Sequence, residues 1–338
     1  YLAAVAAKGS QYGMAVADLS TGEFKVTLID DQASFRDELI RIKPAEILVP
    51  ETASLDLYGF TDEYNPTITK TAARSWYPDT CRYLLTEHFQ VHNLAALGLD
   101  HELLIQCAGA ALAYLQETQK STLAHINQIN RYTLAEYLQI DAASFRNLEL
   151  ARTIREGKKT GSLLGVIDQT TTSMGGRLLR SWLEKPLLSV EKIKQRQACI
   201  DYLYHNTMVR MELADLLNEI QDLERLVSRL VYGSGNARDL VALRSSLAQI
   251  PKIKALLTKE QSVLSSYGER LDELAGLTDL ISRAIVDNPP ITVRDGGLIR
   301  PGFNAELDEL RQINKDGKSW IAALEAEERQ RTGIKSLK

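Results

Sequence analysis

The chain has 338 residues, 44% of them hydrophobic and 25% charged, with a formal net charge of −4. That length is ample for two or three domains with separate cores, and the composition excludes a disordered or collagen-like chain. The acidic balance also excludes nucleic-acid binding by bulk charge, so any contact with DNA needs a local basic patch.

Residues 2–7, 12–20 and 22–29 are short segments in which β-branched and aromatic residues meet glycine punctuation, and Ser20-Thr21-Gly22 signals a hairpin between the last two. Helical spacing follows from Ser34 to Ile42 through Phe35, Leu39 and Ile40, ended by Pro44 before an apolar strand at 46–50. Three strands, a helix and a strand form an α/β pattern. A strand is expected at Thr67–Thr71 and a helix from Asp79 to His88 capped by Asp79, with Phe89–Val91 extended. Asp100 is the expected cap of a helix reaching Gln119, with Leu103, Leu104, Cys107, Ala111, Tyr114 and Leu115 on one face.

From Thr122 onward strand signals almost vanish. Leu148, Leu150 and Ile154 sit at near-helical spacing; Gly157, Gly161 and Gly165 interrupt them, and the hydroxyls of Thr170 to Ser173 offer caps for a helix through Leu178, Leu179, Trp182 and Leu183 that Pro186 closes. The spacing predicts one amphipathic helix over 212–231 stopped by Gly233 and Gly235. Further helices are expected over 237–257, divided or kinked at Pro251, and over 260–286. Asn288-Pro289-Pro290 breaks the pattern, Asp295-Gly296-Gly297 marks a turn, and Phe303, Leu307, Leu310, Ile313, Trp320, Ile321 and Leu324 lie along a last, long, highly charged helix.

GSLLGVIDQTTTSMGGRLLRSWLEKPL (161–187), after QIDAASFRNLEL (139–150), resembles the central part of the MutS family of DNA mismatch repair proteins. YGMAVADLSTGEF (12–24), DLERLVSRL (222–230), LIRPGFNAELDELR (298–311) and TGIKSLK (332–338) agree in the family's order, so the resemblance reaches from one end of the chain to the other. It implies a multidomain fold: an α/β ribonuclease-H-like connector over 1–118, an all-α core and lever over 119–290, and an ascending lever helix with the start of a clamp over 291–338. It also implies an internal fragment, with the mismatch-reading domain before Tyr1 and the ATPase after Lys338. On that basis the exposed side of 303–331 has lost a neighbour and should fray or pack against a second copy. The implied partners are mismatched duplex DNA, MutL through the connector, and a second subunit through the ATPase domain and clamps; ATP and magnesium belong to the whole protein, with no cofactor in this stretch. A MutS homologue acting on recombination junctions is the alternative reading.

Four chemistries were weighed against plainer explanations. Gly157-Lys158-Lys159-Thr160-Gly161 has the amino acids of a phosphate loop but lacks the earlier glycine and the preceding strand, so it reads as a turn and ATP is not expected here. Asp18, with Asp30, Asp31, Glu38 and Asp56 nearby, could line a two-metal nuclease site on such a sheet, yet Asp18 precedes a Ser-Thr-Gly turn and reads as its cap. His88 and His92 beside Glu87 lack the order of a zinc motif, and Cys81, Cys107 and Cys199 read as reduced thiols, not a disulfide framework. Arg329, Arg331, Lys335 and Lys338 collect positive charge at the far tip, as a sequence-blind grip on DNA phosphates requires. Without catalytic, cofactor or metal residues the stretch is expected to be mechanical and non-enzymatic. No apolar run approaches the roughly 18 residues of a membrane span, and YLAAVAAKGSQYG is no signal peptide, so a cytoplasmic location is expected.

Overall fold

A computed structural model of the protein describes residues 1–54, 66–120, 123–259 and 262–334. It begins with β1 (Leu2–Lys8), β2 (Gln11–Asp18), β3 (Glu23–Ile29), α1 (Gln32–Ile42), β4 (Glu46–Pro50) and β5 (Thr67–Thr71). Next come α2 (Pro78–Phe89), α3 (Glu102–Gln119) and the two-residue β6 (Asn130–Arg131). These strands form one mixed sheet in the order β5-β4-β1-β2-β3-β6. The β1-β2-β3 meander is antiparallel, while β4 joins β1 and β5 joins β4 in parallel, as their separation by longer connections requires. β6 adds to β3 in parallel, a strand contributed from beyond residue 122 where strand signals had faded.

Both faces of the sheet are covered, which explains why β1 and β2 read as nearly continuous apolar runs instead of alternating ones. On one face Ala4, Ala15, Phe24 and Val26 meet Leu104, Cys107, Ala111 and Leu112 of α3. On the other, Val5, Met14 and Val16 meet Phe35 and Leu39 of α1, with Tyr12 stacked on Phe35 at 4.6 Å. α3 is therefore buried on most of its circumference, more than the single face its spacing implied. Gly109 lets α2 approach, since a Cβ there would lie 2.4 Å from the Cβ of Cys81. Burial pushes the Cys81 thiol up to about 12 and raises Cys107 further, so both stay protonated.

The expected caps are corrected in two places. Pro78 opens α2 after Tyr77, leaving Asp79 in the first turn, and His101 caps α3 by accepting the Leu103 N–H at Nδ1, 3.3 Å. Asp100 instead pairs with Arg131.

The remaining chain is helical: α4 (Ala142–Asn147), α5 (Leu163–Ile167), α6 (Ser173–Glu184), α7 (Val190–His205), α8 (Thr207–Asn218), α9 (Leu223–Tyr232), α10 (Ala237–Leu247), α11 (Ile250–Thr258), α12 (Ser265–Glu269), α13 (Ala275–Ala284) and α14 (Ala305–Thr332). Thr172 caps α6 as the hydroxyl run suggested, Gly233 ends α9 in the left-handed region, and α11 begins at Ile250 with Pro251 in its first turn. Three spans expected as helices are interrupted. Residues 148–161 form turns, 212–231 breaks between α8 and α9 where Asp222 caps the second helix, and the described residues of the 260–286 span hold the short α12 and α13 in place of one helix. Ile220, Ile253, Leu257 and Leu264 form the core among α7, α8 and α11.

The chain divides into two compact units, Tyr1–Gly235 with Ser245–Glu273, and Asn236–Arg244 with Leu274–Lys338. In the second, Asp287 accepts from Arg244 and Arg300 at 3.0 Å each, and Ile285 bridges Ile299, closing the loop before α14. Asn304 caps α14 by accepting from the Leu307 N–H.

Candidate functional site: the joint between sheet and helices

Within the first unit, the chain leaves the sheet at β6 and later returns to it. Tyr137 and Leu187 form an antiparallel bridge, with the Leu138 N–H donating to the Pro186 carbonyl at 2.8 Å. Pro186 ends α6 and fixes the direction of this return, so Glu184 and Lys185 land beside α1.

Burial makes this meeting unusual, because the side chains that touch are charged. Glu38 is 3% exposed, Arg41 13%, Glu184 14% and Lys185 16%. Arg41 donates to Glu38 through Nε at 2.8 Å and through a second nitrogen, a two-pronged pair, while also lying 3.9 Å from Glu184. The Tyr132 hydroxyl donates to the same Glu38 carboxylate. Lys185 Nζ stands 3.5 Å from Glu38 and 3.4 Å from the centre of the Tyr132 ring.

Burial alone would raise the Glu38 carboxyl, but Arg41 and Lys185, with the hydrogen bonds from Arg41 and Tyr132, outweigh it and hold the group below the usual range. Burial first, and the charge of Glu38 second, push the Tyr132 phenol well above its ordinary value, keeping its proton available to the carboxylate. Such a network ties α1, β6 and α6 together. Breaking one member strands the others in a dry place, which makes the joint stiff against partial opening.

Sequence reasoning named Glu38 only as a possible nuclease acid and missed Arg41, Tyr132 and Lys185. The signal was present: Glu38 lies on the apolar Phe35-Leu39-Ile42 stripe of α1, where an unpaired carboxylate would be costly.

The other candidate residues are dispersed. Asp18 caps its turn, accepting from the Ser20 N–H at 2.9 Å and the Ser20 hydroxyl at 2.7 Å. Asp30 accepts from Gln11, Asp31 caps α1, and Asp56 lies outside the described residues. His88 sits on the last turn of α2, not on a strand, and its Nε2 donates to the Ile126 carbonyl at 2.8 Å; His92 is exposed beyond the helix end. Among the described residues no group of three or more His, Cys, Asp or Glu side chains could hold a metal. The Gly157–Gly161 stretch folds on itself, the Thr153 N–H donating to the Lys158 carbonyl at 2.9 Å. Lys159 is committed to Asp168, whose carboxyl its hydrogen bond, with those of Thr170, lowers to about 2. At the tip of α14, Arg329 pairs with Glu325 and Arg331 with Glu328, while Lys335 and Lys338 lie outside the described residues.

Both parts of the chain, the one holding the sheet and the helical one that follows, are matched by family models. The family model for MutS domain III matches residues 143–336, and that for MutS domain II matches residues 1–127. The chain belongs to the MutS family. It is 43% identical over its whole length to the DNA mismatch repair protein MutS of Symbiobacterium thermophilum, 42% to that of Myxococcus xanthus and 41% to that of Ruminiclostridium cellulolyticum. It spans 38–39% of the length of these relatives, so it corresponds to the MutS segment holding the connector and core. The ribonuclease-H-like reading of the α/β part and the all-helical reading of the remainder agree with the match to MutS domains II and III. No helix of the described residues is long and apolar enough to cross a membrane.

Proposed function

We propose that this chain is the coupling segment of a cytoplasmic protein that finds mispaired bases in duplex DNA, and that it transmits movement between DNA-gripping parts and an ATPase without performing a reaction itself. The observation that carries the reading is the joint at Glu38, Arg41, Tyr132 and Lys185, which fastens the connector's α1 to the first helices of the core. A segment meant to pass displacement along needs stiff elements and stiff connections. α14, at 28 residues, is the longest rod in the chain. Its rise of 1.5 Å per residue gives a reach of roughly 40 Å with its hydrogen bonds internal to one element.

In this reading the connector, residues 1–118, offers the surface that docks MutL, the helices from 119 to 290 form core and lever, and 291–338 climbs toward a clamp. ATP and magnesium act in a domain of the whole protein, which works as a homodimer. Arg329, Arg331, Lys335 and Lys338 touch the DNA backbone. For the two arginines this means exchanging a glutamate for a phosphate, which is inexpensive because exposed ion pairs are weak.

The test is Arg41→Glu in the full-length protein. Mismatched duplex should still bind, while ATP-triggered release from the mismatch weakens by about tenfold, within the range typical of coupling energies. Unchanged release by a folded variant would sink the coupling role.

A further inference from the structure

Glu87 and His88 belong to no metal cluster among the described residues, yet both line a cavity of about 540 Å³ where the ends of α2 and α3 meet the segment 124–127. The two helices run side by side in the same direction. Cys81 faces Gly109, and further along both helices Glu87, His88 and Phe89 share the cavity with Gln116. Antiparallel neighbours cancel their dipoles, but parallel ones bring two negative ends together, each equivalent to about half an elementary charge. Thr86 takes both the Gln90 and the Val91 N–H, and the carbonyls of Glu87, His88 and Phe89 accept from none of the described residues.

The side chains repeat that polarity. Neither Glu87 nor Lys120, the cation that caps α3, forms an ion pair among the described residues. Gln90, Gln116 and Asn127 add amide oxygens. His88 and Phe89 give the wall two rings set edge to face at 4.7 Å, the first held by its bond to the Ile126 carbonyl. A guanidinium suits this environment: it is planar, carries five donors, lies on aromatic rings and sheds water more readily than an ammonium. Glu87, Gln90 and Asn127 are exposed, so the cavity opens where another chain can reach it. No lysine or arginine is among the described residues lining it, so the carboxylate of a free amino acid finds no partner there, whereas a peptide-linked arginine brings none.

We propose that this cavity receives an arginine side chain presented by a partner protein. The proposal stands on the cavity and not on the coupling role. The test is an NMR titration of the nitrogen-labelled 338-residue chain with N-acetyl-arginine N-methylamide at low ionic strength. The Gln90, Gln116 and Asn127 amide signals should shift together, with a dissociation constant on the order of 1 mM, the affinity open to so small a probe. The capped citrulline, which has the same shape without the charge, should bind about tenfold more weakly, since it loses Glu87 and both helix ends. Glu87→Gln, at an exposed position with no ion pair to lose, should weaken the capped arginine about fivefold, the ceiling for an exposed pair. Free L-arginine should bind no more tightly than the capped form. Equal affinity for arginine and citrulline, unchanged binding by Glu87→Gln, or shifts confined to other parts of the chain would each overturn the site. Tighter binding of free L-arginine would overturn the polypeptide as its source.

Discussion

The sheet and α14 are both regular and both rich in apolar residues, yet they are stabilised by opposite means. β1 and β2 are buried on both faces, so each strand is fixed by side chains above and below as well as by its neighbours' hydrogen bonds. In α14, Leu310, Ile313, Trp320 and Ile321 are all more than half exposed, and the helix is stabilised by its own hydrogen bonds, the Asn304 cap and charge pairs such as Arg329 with Glu325. A sheet that closes over its own core has settled its fold locally. A rod with an open apolar stripe has formed an element whose packing is still owed by something else. Self-sufficiency, not regularity, separates the two.

The sharpest way to break that comparison is to remove volume from the sheet's core. Phe24 is fully buried between the sheet and α3, and Phe24→Ala should destabilise the α/β part by about 3–5 kcal/mol. This is read as a shift in that part's own transition in chemical denaturation, since a chain of several units need not unfold in one step. A shift below about 1 kcal/mol would mean the core relaxes far more than its packing implies.

Next in size is the joint. Glu38→Gln leaves Arg41 and Lys185 without their buried anion, and should cost on the order of 3 kcal/mol at pH 7. Its pH signature follows from the depressed carboxyl, whose ordinary value is 4.5. The carboxylate's contribution is fully present above that value and is lost as pH falls through the lower folded one, so the unaltered chain should lose stability below pH 4.5 more steeply than Glu38→Gln. Parallel acid profiles would show that Glu38 is not the buried anion of the joint.

These two sites also divide what was legible in the sequence from what was not. The Phe24 strand, the Ser20-Gly22 turn and the α1 stripe were readable because period, punctuation and cap all lie within about ten residues of one another. Gly22 is a case in point: at φ +74°, with the His125 carbonyl oxygen 2.6 Å from where a Cβ would stand, the turn admits little else. The joint was not readable, since Glu38 and Lys185 are 147 positions apart and their pairing depends on where Pro186 aims the chain. Helix breaks were lost for a related reason. The apolar spacing runs on through Ile220, because Ile220 is buried, and hides the change of direction at Asp222. The family resemblance supplied the order of domains, which local patterns could not.

A smaller effect is expected where helices are joined by charge at the surface. Arg177 donates from α6 to both oxygens of Asp222, at 2.8 and 2.7 Å, and to Glu224 at 2.9 Å, bracing the start of α9. These bonds lower the Asp222 carboxyl, with the Arg177 hydrogen bonds as the main cause. Because the cluster is partly solvated, Arg177→Ala should cost only about 1 kcal/mol, and Arg177→Lys, which keeps charge but not the fork, should recover less than half of it. A lysine variant as stable as the unaltered chain by denaturant midpoint would indicate that the fork contributes nothing beyond the charge and the aliphatic stem.

The smallest effect is also the one that sharpens the contrast most. Trp320 is one of the largest side chains in α14, and a tryptophan in a core would cost about 3–5 kcal/mol to truncate. Here it is 66% exposed, so Trp320→Ala should change the stability of this chain by no more than about 0.5 kcal/mol, with alanine's helix propensity offsetting whatever contact is lost. The same substitution in a protein that supplies a cover for the stripe should be far more damaging, because the indole would then be removed from a filled interface. A loss above about 2 kcal/mol in the isolated chain, measured by thermal or denaturant unfolding of α14, would show that the rod already has its partner, and that the difference drawn between sheet and rod is one of degree.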